Sequence, residues 1–111
     1  MPTVVIVDDD ADFRVVAREL LASCGVTVLA EAADGSGARA ACAAHAPDGV
    51  LLDVNLPDAS GHELARALRA RHPRLRILLT STEPTAGGVD DVPFVPKLEL
   101  ALCDLGRYFS K

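Results

Sequence analysis

The stretch TVVIVDDD, residues 3–10, decides the fold of this chain. Residues 3–7 form a short, continuous, β-branched run, which is typical of a strand buried on both faces of a parallel sheet. The apolar residues after the three acids recur at the spacing of one helical face: Phe13, Val16, Ala17, Leu20 and Leu21. Gly25 then ends the helical pattern. The chain therefore opens with a predicted β-α unit whose strand ends in carboxylates.

Four further strands are predicted along the chain. Val26 to Ala30 is the second strand, and the third is the apolar run Val50-Leu51-Leu52, which ends at Asp53. Ile77-Leu78-Leu79 forms the fourth strand and Phe94-Val95 the fifth. Strands that alternate with helices predict right-handed crossovers and a doubly wound, five-stranded parallel sheet of the α/β class.

The helices between these strands are predicted from apolar residues at helical spacing. Two of them end before a proline, at Pro47 and Pro73, since the residue before proline disfavours the helical conformation. The apolar faces of the second, third and final helices are Ala38, Ala41, Cys42 and His45; Leu64, Ala67 and Leu68; and Leu98, Ala101, Leu102, Leu105 and Phe109.

Composition narrows the class of protein. The 111 residues are predicted to form one domain, residues 1–111, and half of them are apolar. The net charge of −5 argues against nucleic acid or an anionic membrane as the direct partner. The sequence has three cysteines, an odd number without metal-ligand spacing: Cys24, Cys42 and Cys103. A framework of paired disulfides is therefore not expected. With neither a leader-like N-terminus nor a long apolar run, the sequence predicts a cytoplasmic protein.

Polar side chains gather at the predicted carboxyl ends of the strands, where doubly wound sheets carry their sites. They are Asp8, Asp9, Asp10, Asp53, Thr80, Ser81 and Lys97. Capping or a place in the first helical turn explains Asp10 and Asp12, but it does not explain Asp8 or Asp53. Two carboxylates about 4 Å apart repel by about 4 kcal/mol at an effective dielectric near 20, so such a cluster favours a cation. Oxygen ligands indicate Mg²⁺, with Mn²⁺ as an alternative.

Four motifs at these strand ends carry a family resemblance. They are VIVDDD at residues 5–10, LLDVNLPD at residues 51–58 followed by Gly61, LTS at residues 79–81, and PK at residues 96–97. In this order they closely resemble the motifs of bacterial response-regulator receiver domains, the CheY-like proteins of two-component signal transduction. The resemblance covers the whole chain and implies a flavodoxin-like sheet with strand order 2-1-3-4-5.

The resemblance also implies roles for the acidic residues. Asp53 would be the phosphoacceptor, a carboxylate nucleophile that forms an acyl phosphate. Asp9 would ligate Mg²⁺ directly, and Asp8 would help through a bound water or by holding its neighbour. The backbone carbonyl of Asn55 would complete the metal shell together with Asp53.

The remaining implied roles belong to residues after the fourth and fifth strands. Lys97 would pair with Asp53 and then with a phosphoryl oxygen. Thr80 would donate its hydroxyl to the phosphoryl group, with Ser81 as the alternative if the register differs by one residue. Phe94 matches the aromatic position that changes rotamer on activation in this family, although a core role explains it equally well.

One segment departs from the family pattern. Lys97 follows Thr80 by only 17 positions, and the residues between them include Pro84 and the pair Gly87-Gly88. These residues disfavour a helix interior by roughly 3 and 1 kcal/mol respectively. We therefore expect the fourth helix to be shortened or missing, with an irregular connection from Thr82 to Val92. Lys97 also precedes Leu98, where many relatives carry proline.

The function implied is that of a phosphoacceptor domain rather than an enzyme, one that phosphorylates itself from a donor and slowly loses the phosphate to water. Its partners would be a histidine kinase or phosphotransfer protein, and a downstream protein or a lost output domain. One alternative is a receiver-like interaction module that phosphorylation does not control. Another is a small Mg²⁺-dependent phosphatase, but Asn55 stands where such an enzyme needs a second acid.

Overall fold

The structure is a computed structural model that describes residues 1–110. Its five parallel strands form one sheet in the order β2-β1-β3-β4-β5, which confirms the predicted flavodoxin-like fold. The strands are β1 (Thr3–Val7), β2 (Thr27–Ala32), β3 (Gly49–Asp53), β4 (Arg76–Ser81) and β5 (Phe94–Pro96).

Helices cover both faces of the sheet. They are α1 (Ala11–Ser23), α2 (Gly35–His45), α3 (Gly61–Arg71), a 3₁₀-helix (Lys97–Leu102) and α4 (Leu105–Phe109). The face that carries Val5, Val50 and Leu79 packs against α2 and α3, and the face that carries Ile6 and Leu51 packs against α1, the 3₁₀-helix and α4. Among residues 1–110, none of the helices combines the length and apolar character that crossing a membrane requires.

Side chains cap the helices that begin beside the carboxyl edge of the sheet. Asp10 accepts hydrogen bonds from the backbone N–H groups of Asp12 and Phe13 at the start of α1, which is the capping role expected of it. Ser60 accepts from the N–H of His62 at the start of α3. These caps fix where the chain turns from each strand end into the following helix.

The connection between β4 and β5 contains no helix, as its length and its breakers predicted. We call residues 82–93 the strap. It is tied to α3 by a hydrogen bond of 2.8 Å between His62 Nε2 and the Gly87 carbonyl oxygen. Ion pairs of 3.1 Å join Arg66 to Asp90 and Arg69 to Asp91.

The strap also contributes apolar side chains to the core. Val92 is 5% exposed, and Ala86 and Val89 pack against the core on the α3 side. The irregular segment therefore covers part of the sheet face that a helix covers elsewhere in this fold class. Its polar and apolar contacts together hold it against α3.

The prediction of which residues of the final helix are buried was wrong at its start. Leu98 and Leu102 are 96% and 83% exposed, whereas Leu100, outside the predicted stripe, is 1% exposed. The reason is that residues 97–102 form a 3₁₀-helix, in which residues three apart lie on one side, so the spacing of an α-helix does not apply. In α1, Val16 is also 58% exposed, although its spacing predicted burial.

Leucines 98 and 100 offer a matched test of this geometry. Leu100→Ala should lower the free energy of unfolding by about 2–5 kcal/mol, because it empties a packed position. Leu98→Ala should change it by less than about 0.5 kcal/mol. Urea unfolding followed by circular dichroism measures both. If Leu98→Ala lowers the free energy of unfolding more than Leu100→Ala does, Leu98 is buried as the α-helical spacing predicted, and the 3₁₀ geometry is contradicted.

Candidate functional site

The alternation of side chains along the strands brings the predicted site residues to one face. Asp8, Asp53, Thr80 and Lys97 each come two residues after an apolar residue of the core on the α1 side. Those apolar residues are Ile6, Leu51, Leu78 and Val95. Because side chains two apart on a strand point to the same face, Asp53 and Thr80 leave the sheet toward α1. Asp8 and Lys97 follow directly after β1 and β5, and the contacts of Lys97 with Asp8 and with Phe13 of α1 place them on the same side.

The carboxylates of Asp8, Asp9 and Asp53 converge at this edge, with ligand oxygens within 4.8 Å of one another. Asp8 is fully buried, Asp53 is 6% exposed, and Asp9 is exposed. The ammonium group of Lys97 lies 2.8 Å from Asp8 Oδ2 and 3.7 Å from Asp53 Oδ2. Lys97 also lies 4.1 Å from the centre of the Phe13 ring, whose face attracts a cation. One ammonium group thus serves two buried carboxylates.

The environment of Asp53 disfavours its charged form. Burial is the largest cause, and together with the neighbouring Asp8 carboxylate it raises the pKa of Asp53 to about 6. The N–H of Asn55, 3.2 Å from Asp53 Oδ1, and the charge of Lys97 act in the opposite direction. Uncompensated negative charge therefore remains at the site, and a cation would relieve it.

Arg14 is a site neighbour that the sequence reasoning missed. Its Nη1 donates a 2.6 Å hydrogen bond to the backbone carbonyl of Asp8, and its Nε lies 3.0 Å from Glu31. Arg18 binds the same carboxylate and is the first cause of the lowered pKa of Glu31, with Arg14 adding to it. The hydrogen bond from Arg14 to the Asp8 carbonyl fixes the turn between β1 and α1. The sequence signal is only an arginine in the first turns of α1.

The structure separates the two candidate hydroxyls. Thr80 pairs with Asp53 across β3 and β4, is fully buried, and its Oγ1 has no hydrogen-bond partner within residues 1–110. Ser81 points to the opposite face, and its Oγ accepts a hydrogen bond from the N–H of Glu83. A buried hydroxyl without a partner is costly, so Thr80 is suited to a ligand at this edge.

The loop after Asp53 is fixed at both ends. Its Asp58 carboxylate accepts hydrogen bonds of 2.7 and 3.1 Å from the N–H groups of Gly35 and Ser36, at the start of α2. At Gly61, a Cβ atom would collide with the Asp53 carbonyl oxygen, so only glycine fits. Asn55, whose carbonyl was predicted as a metal ligand, lies in this fixed loop and is exposed.

Phe94 lies apart from the other predicted site residues. It pairs with Leu79 in the sheet, is partly buried, and packs against the core on the side of α2 and α3. The carboxylates lie on the other side of the sheet. The structure thus places Phe94 beside the strap, and its role as a switch stays a prediction.

The donor set of the carboxylate cluster fits a hard divalent cation. Three carboxylates supply oxygen ligands, two from the β1–α1 turn and one from the end of β3, and one of the three is exposed, which leaves the cluster open to solvent. Oxygen ligands with room for water are typical of Mg²⁺ sites. Asp8, Asp9 and Asp53 are therefore the residues that could hold a metal here.

Comparison with known proteins agrees with this arrangement. Residues 4–91 match the family described as the response regulator receiver domain. The chain belongs to this family. A relative from Anaeromyxobacter dehalogenans, a protein-glutamate methylesterase/protein-glutamine glutaminase, is 34% identical over 110 residues. The alignment spans 95% of this receiver domain but only 32% of that relative's length.

Solved receiver structures have the same fold. The receiver domain of the response regulator NarL from Mycobacterium tuberculosis aligns over 99% of this chain and 98% of its own, with a TM-score of 0.80 and 31% identity. The response regulator TrrA of Thermotoga maritima, in complex with Mg²⁺ and BeF, aligns over 74% of this chain and 70% of its own, with a TM-score of 0.69 and 28% identity.

The charge cluster makes a prediction about the stability of the metal-free receiver domain. Asp53→Asn should raise the free energy of unfolding at pH 7 by on the order of 1–3 kcal/mol, since it removes a carboxylate whose pKa is raised to about 6. A raised folded-state pKa means that the wild type gains stability as pH falls through 6, so the advantage of the variant should shrink by pH 5. Thermal melts at both pH values measure this.

Glu19→Gln is the matched control, because it removes one exposed carboxylate on α1, away from the cluster. It should shift the melting temperature little at either pH. If Asp53→Asn changes the melting temperature at pH 7 as little as this control does, the charged form of Asp53 does not destabilise the folded protein.

Proposed function

We propose that this receiver domain is a phosphoacceptor signalling module of a two-component system, and that Asp53 takes the phosphoryl group. The donor would be the phosphohistidine of a histidine kinase or phosphotransfer protein in the cytoplasm. The observation that carries the proposal is the convergence of three groups at one edge: a buried carboxylate, an ammonium group and a buried hydroxyl without a partner.

The transfer step would use the ionised carboxylate of Asp53. One carboxylate oxygen attacks the phosphorus atom, and the bond from phosphorus to the donor's imidazole nitrogen breaks, with the electron pair staying on that nitrogen. The product is an acyl phosphate on Asp53. With a pKa of about 6, Asp53 is mostly ionised at neutral pH and therefore competent as the nucleophile.

Asp8, Asp9, Asp53 and the backbone carbonyl of Asn55 are the groups that would hold Mg²⁺, or Mn²⁺ in its place. When bound, the metal supplies positive charge against the oxygens of the transferring phosphoryl group. The ion pair with Lys97 and the hydrogen bonds around Asp8 hold the two buried carboxylates in position.

Lys97 and Thr80 would bind the phosphoryl group after transfer. Lys97 Nζ lies 3.7 Å from Asp53 Oδ2, so its ammonium can pair with a phosphoryl oxygen carried by that carboxylate. The hydroxyl of Thr80, opposite Asp53 on β4, would donate a hydrogen bond to the same group. These contacts would favour a different position of Thr80, and with it of the strap that begins two residues later.

The consequence of phosphorylation would be a changed affinity for a downstream protein or for an output domain of a longer regulator. The chain would transfer phosphate only to itself and lose it slowly to water, without turning over other phosphoesters. A second function, an interaction module that phosphorylation does not control, is favoured only by the strap, which replaces the helix expected between β4 and β5. The intact acidic site supports the first.

Intact mass after incubation with acetyl phosphate tests the proposal. The wild type should gain one phosphate in the presence of Mg²⁺ and none after EDTA treatment, and Asp53→Asn should gain none. Thr80→Val should slow labelling or hasten loss of the phosphate severalfold, whereas Ser81→Ala, its neighbour on the other face, should not. Labelling of Asp53→Asn at the wild-type rate would sink the assignment.

Two adjacent acids provide a further test. Asp9→Ala should weaken Mg²⁺ binding at least tenfold more than Asp10→Ala, because Asp9 belongs to the carboxylate cluster while the Asp10 carboxylate caps α1. Isothermal titration with Mg²⁺ gives both constants. Asp10→Ala should instead lower the melting temperature, as loss of an N-cap does. Equal losses of Mg²⁺ affinity in the two variants would contradict the assignment of Asp9.

A further inference from the structure

Positive charge is concentrated in one short segment at the end of α3. Five of the eleven lysine and arginine residues lie between positions 66 and 76, and no acid occurs from residue 64 to residue 82. The whole chain nevertheless carries a net charge of −5. The charge distribution is therefore strongly uneven, with a basic region on an acidic domain.

Not all of these arginines are used inside the fold. Arg66 and Arg69 form ion pairs with the strap, to Asp90 and Asp91. Within residues 1–110, no ion pair involves Arg71, Arg74 or Arg76, and all three are exposed. Charge that the fold does not use is available to a partner.

The free arginines line connected depressions rather than a flat surface. A groove of about 410 Å³ lies between the α2–β3 and α3–β4 loops, with Arg71, His72 and Arg74 on one side. A second of about 340 Å³ shares Arg71 and His72 and adds Arg39. A third of about 330 Å³ shares Arg74 and adds Arg76. Together they form what we call the basic track.

The walls of the basic track are partly apolar. Pro47, Pro73 and Leu75 line the largest groove, and Leu68 with Ala43 line the second. Guanidinium groups and hydrocarbon therefore line the same grooves. Two carboxylates line them as well, but Asp48 accepts hydrogen bonds from Thr3 and Asp91 is paired with Arg69. Guanidinium groups bind carboxylates in a bidentate manner, and the apolar lining residues favour a ligand that also carries aliphatic side chains.

The basic track lies at the opposite edge of the sheet from the carboxylate cluster. The groove residues Asp48 and Leu75 directly precede β3 and β4, whereas Asp53 ends β3. Five residues at about 3.3 Å each put roughly 16 Å between the two edges. A ligand in the track would therefore leave Asp53 accessible to a phosphodonor.

We propose that the basic track is a docking surface for an acidic segment of a partner protein, one that combines Asp or Glu with aliphatic residues. The arginines without ion pairs, the apolar lining residues and the separation from Asp53 make it an anchoring surface that works in parallel with phosphorylation. Nucleic acid is the less suitable polyanion, because the net charge of −5 repels a long phosphate backbone more than a short acidic segment. The apolar lining is also mainly aliphatic, and its Tyr108 ring is half-buried with the hydroxyl hydrogen-bonded to the Ile77 carbonyl, which leaves little aromatic surface for bases to stack on.

The test uses a defined probe, an acetylated peptide of four Glu-Glu-Leu repeats, titrated into the ¹⁵N-labelled chain at low and at physiological salt. We expect saturable amide shifts confined to residues 39–48 and 69–76. A peptide with Gln in place of every Glu should not produce them. Arg71→Gln combined with Arg74→Gln should weaken binding roughly fivefold or more.

Arg18→Gln combined with Arg107→Gln is the matched control. It removes the same charge from two exposed arginines outside the track and should leave the affinity within about twofold. The spectra of the variants report folding directly. Absence of saturable shifts, or equal losses in both double variants, would overturn the proposal. Tighter binding of a single-stranded oligonucleotide of equal charge to the same residues would also overturn it and identify nucleic acid as the ligand.

Discussion

The ion pair between Lys97 and Asp8 is the interaction on which the functional edge of this receiver domain depends. It joins the residue after β5 to the end of β1, over a distance of 2.8 Å and almost out of contact with water. A buried charge is costly unless it is paired, so neither group could stay in place without the other. Asp53 shares this ammonium group at longer range, and burial together with the neighbouring Asp8 carboxylate still raises the pKa of Asp53 to about 6.

The same constraint explains how the surrounding segments are held. Arg14 donates a hydrogen bond to the backbone carbonyl of Asp8, and the N–H of Asp10 donates one to its carboxylate. The two bonds hold the Asp8 carboxylate toward Lys97. The loop after Asp53 is held by Asp58 at the start of α2. Rigid support on three sides keeps like charges together, which is the arrangement that a cation and a phosphoryl group require.

Much of the fold was predictable because short, buried strands leave a plain signature. The β-branched run before Asp8 and the apolar run before Asp53 fixed two strands, and acids at their ends marked the edge where the site lies. The missing helix between β4 and β5 was also predictable, since Pro84 and the two adjacent glycines exclude a regular helix.

Other features depended on contacts between distant residues, which a single sequence does not reveal. The predicted stripe through Leu98 and Leu102 was wrong because Lys97–Leu102 form a 3₁₀-helix, whose first residue is tied to Asp8 by an ion pair. The choice between Thr80 and Ser81 needed the register of β4 against β3. The roles of Arg14 and Asp58 needed their positions beside β1 and α2.

Side-chain alternation along the strands has a consequence for how the chain tolerates insertions and deletions. Removing one residue inside β1, β3 or β4 would turn Asp8, Asp53 or Thr80 to the far side of the sheet, whereas loops can lose many residues at no such cost. The strap illustrates this tolerance. It is short and lacks a helix, yet β5 enters in the register that pairs Thr80 with Val95, and Lys97 still reaches the carboxylates. The outer surface between β4 and β5 can therefore differ in length and shape without displacing the acidic edge.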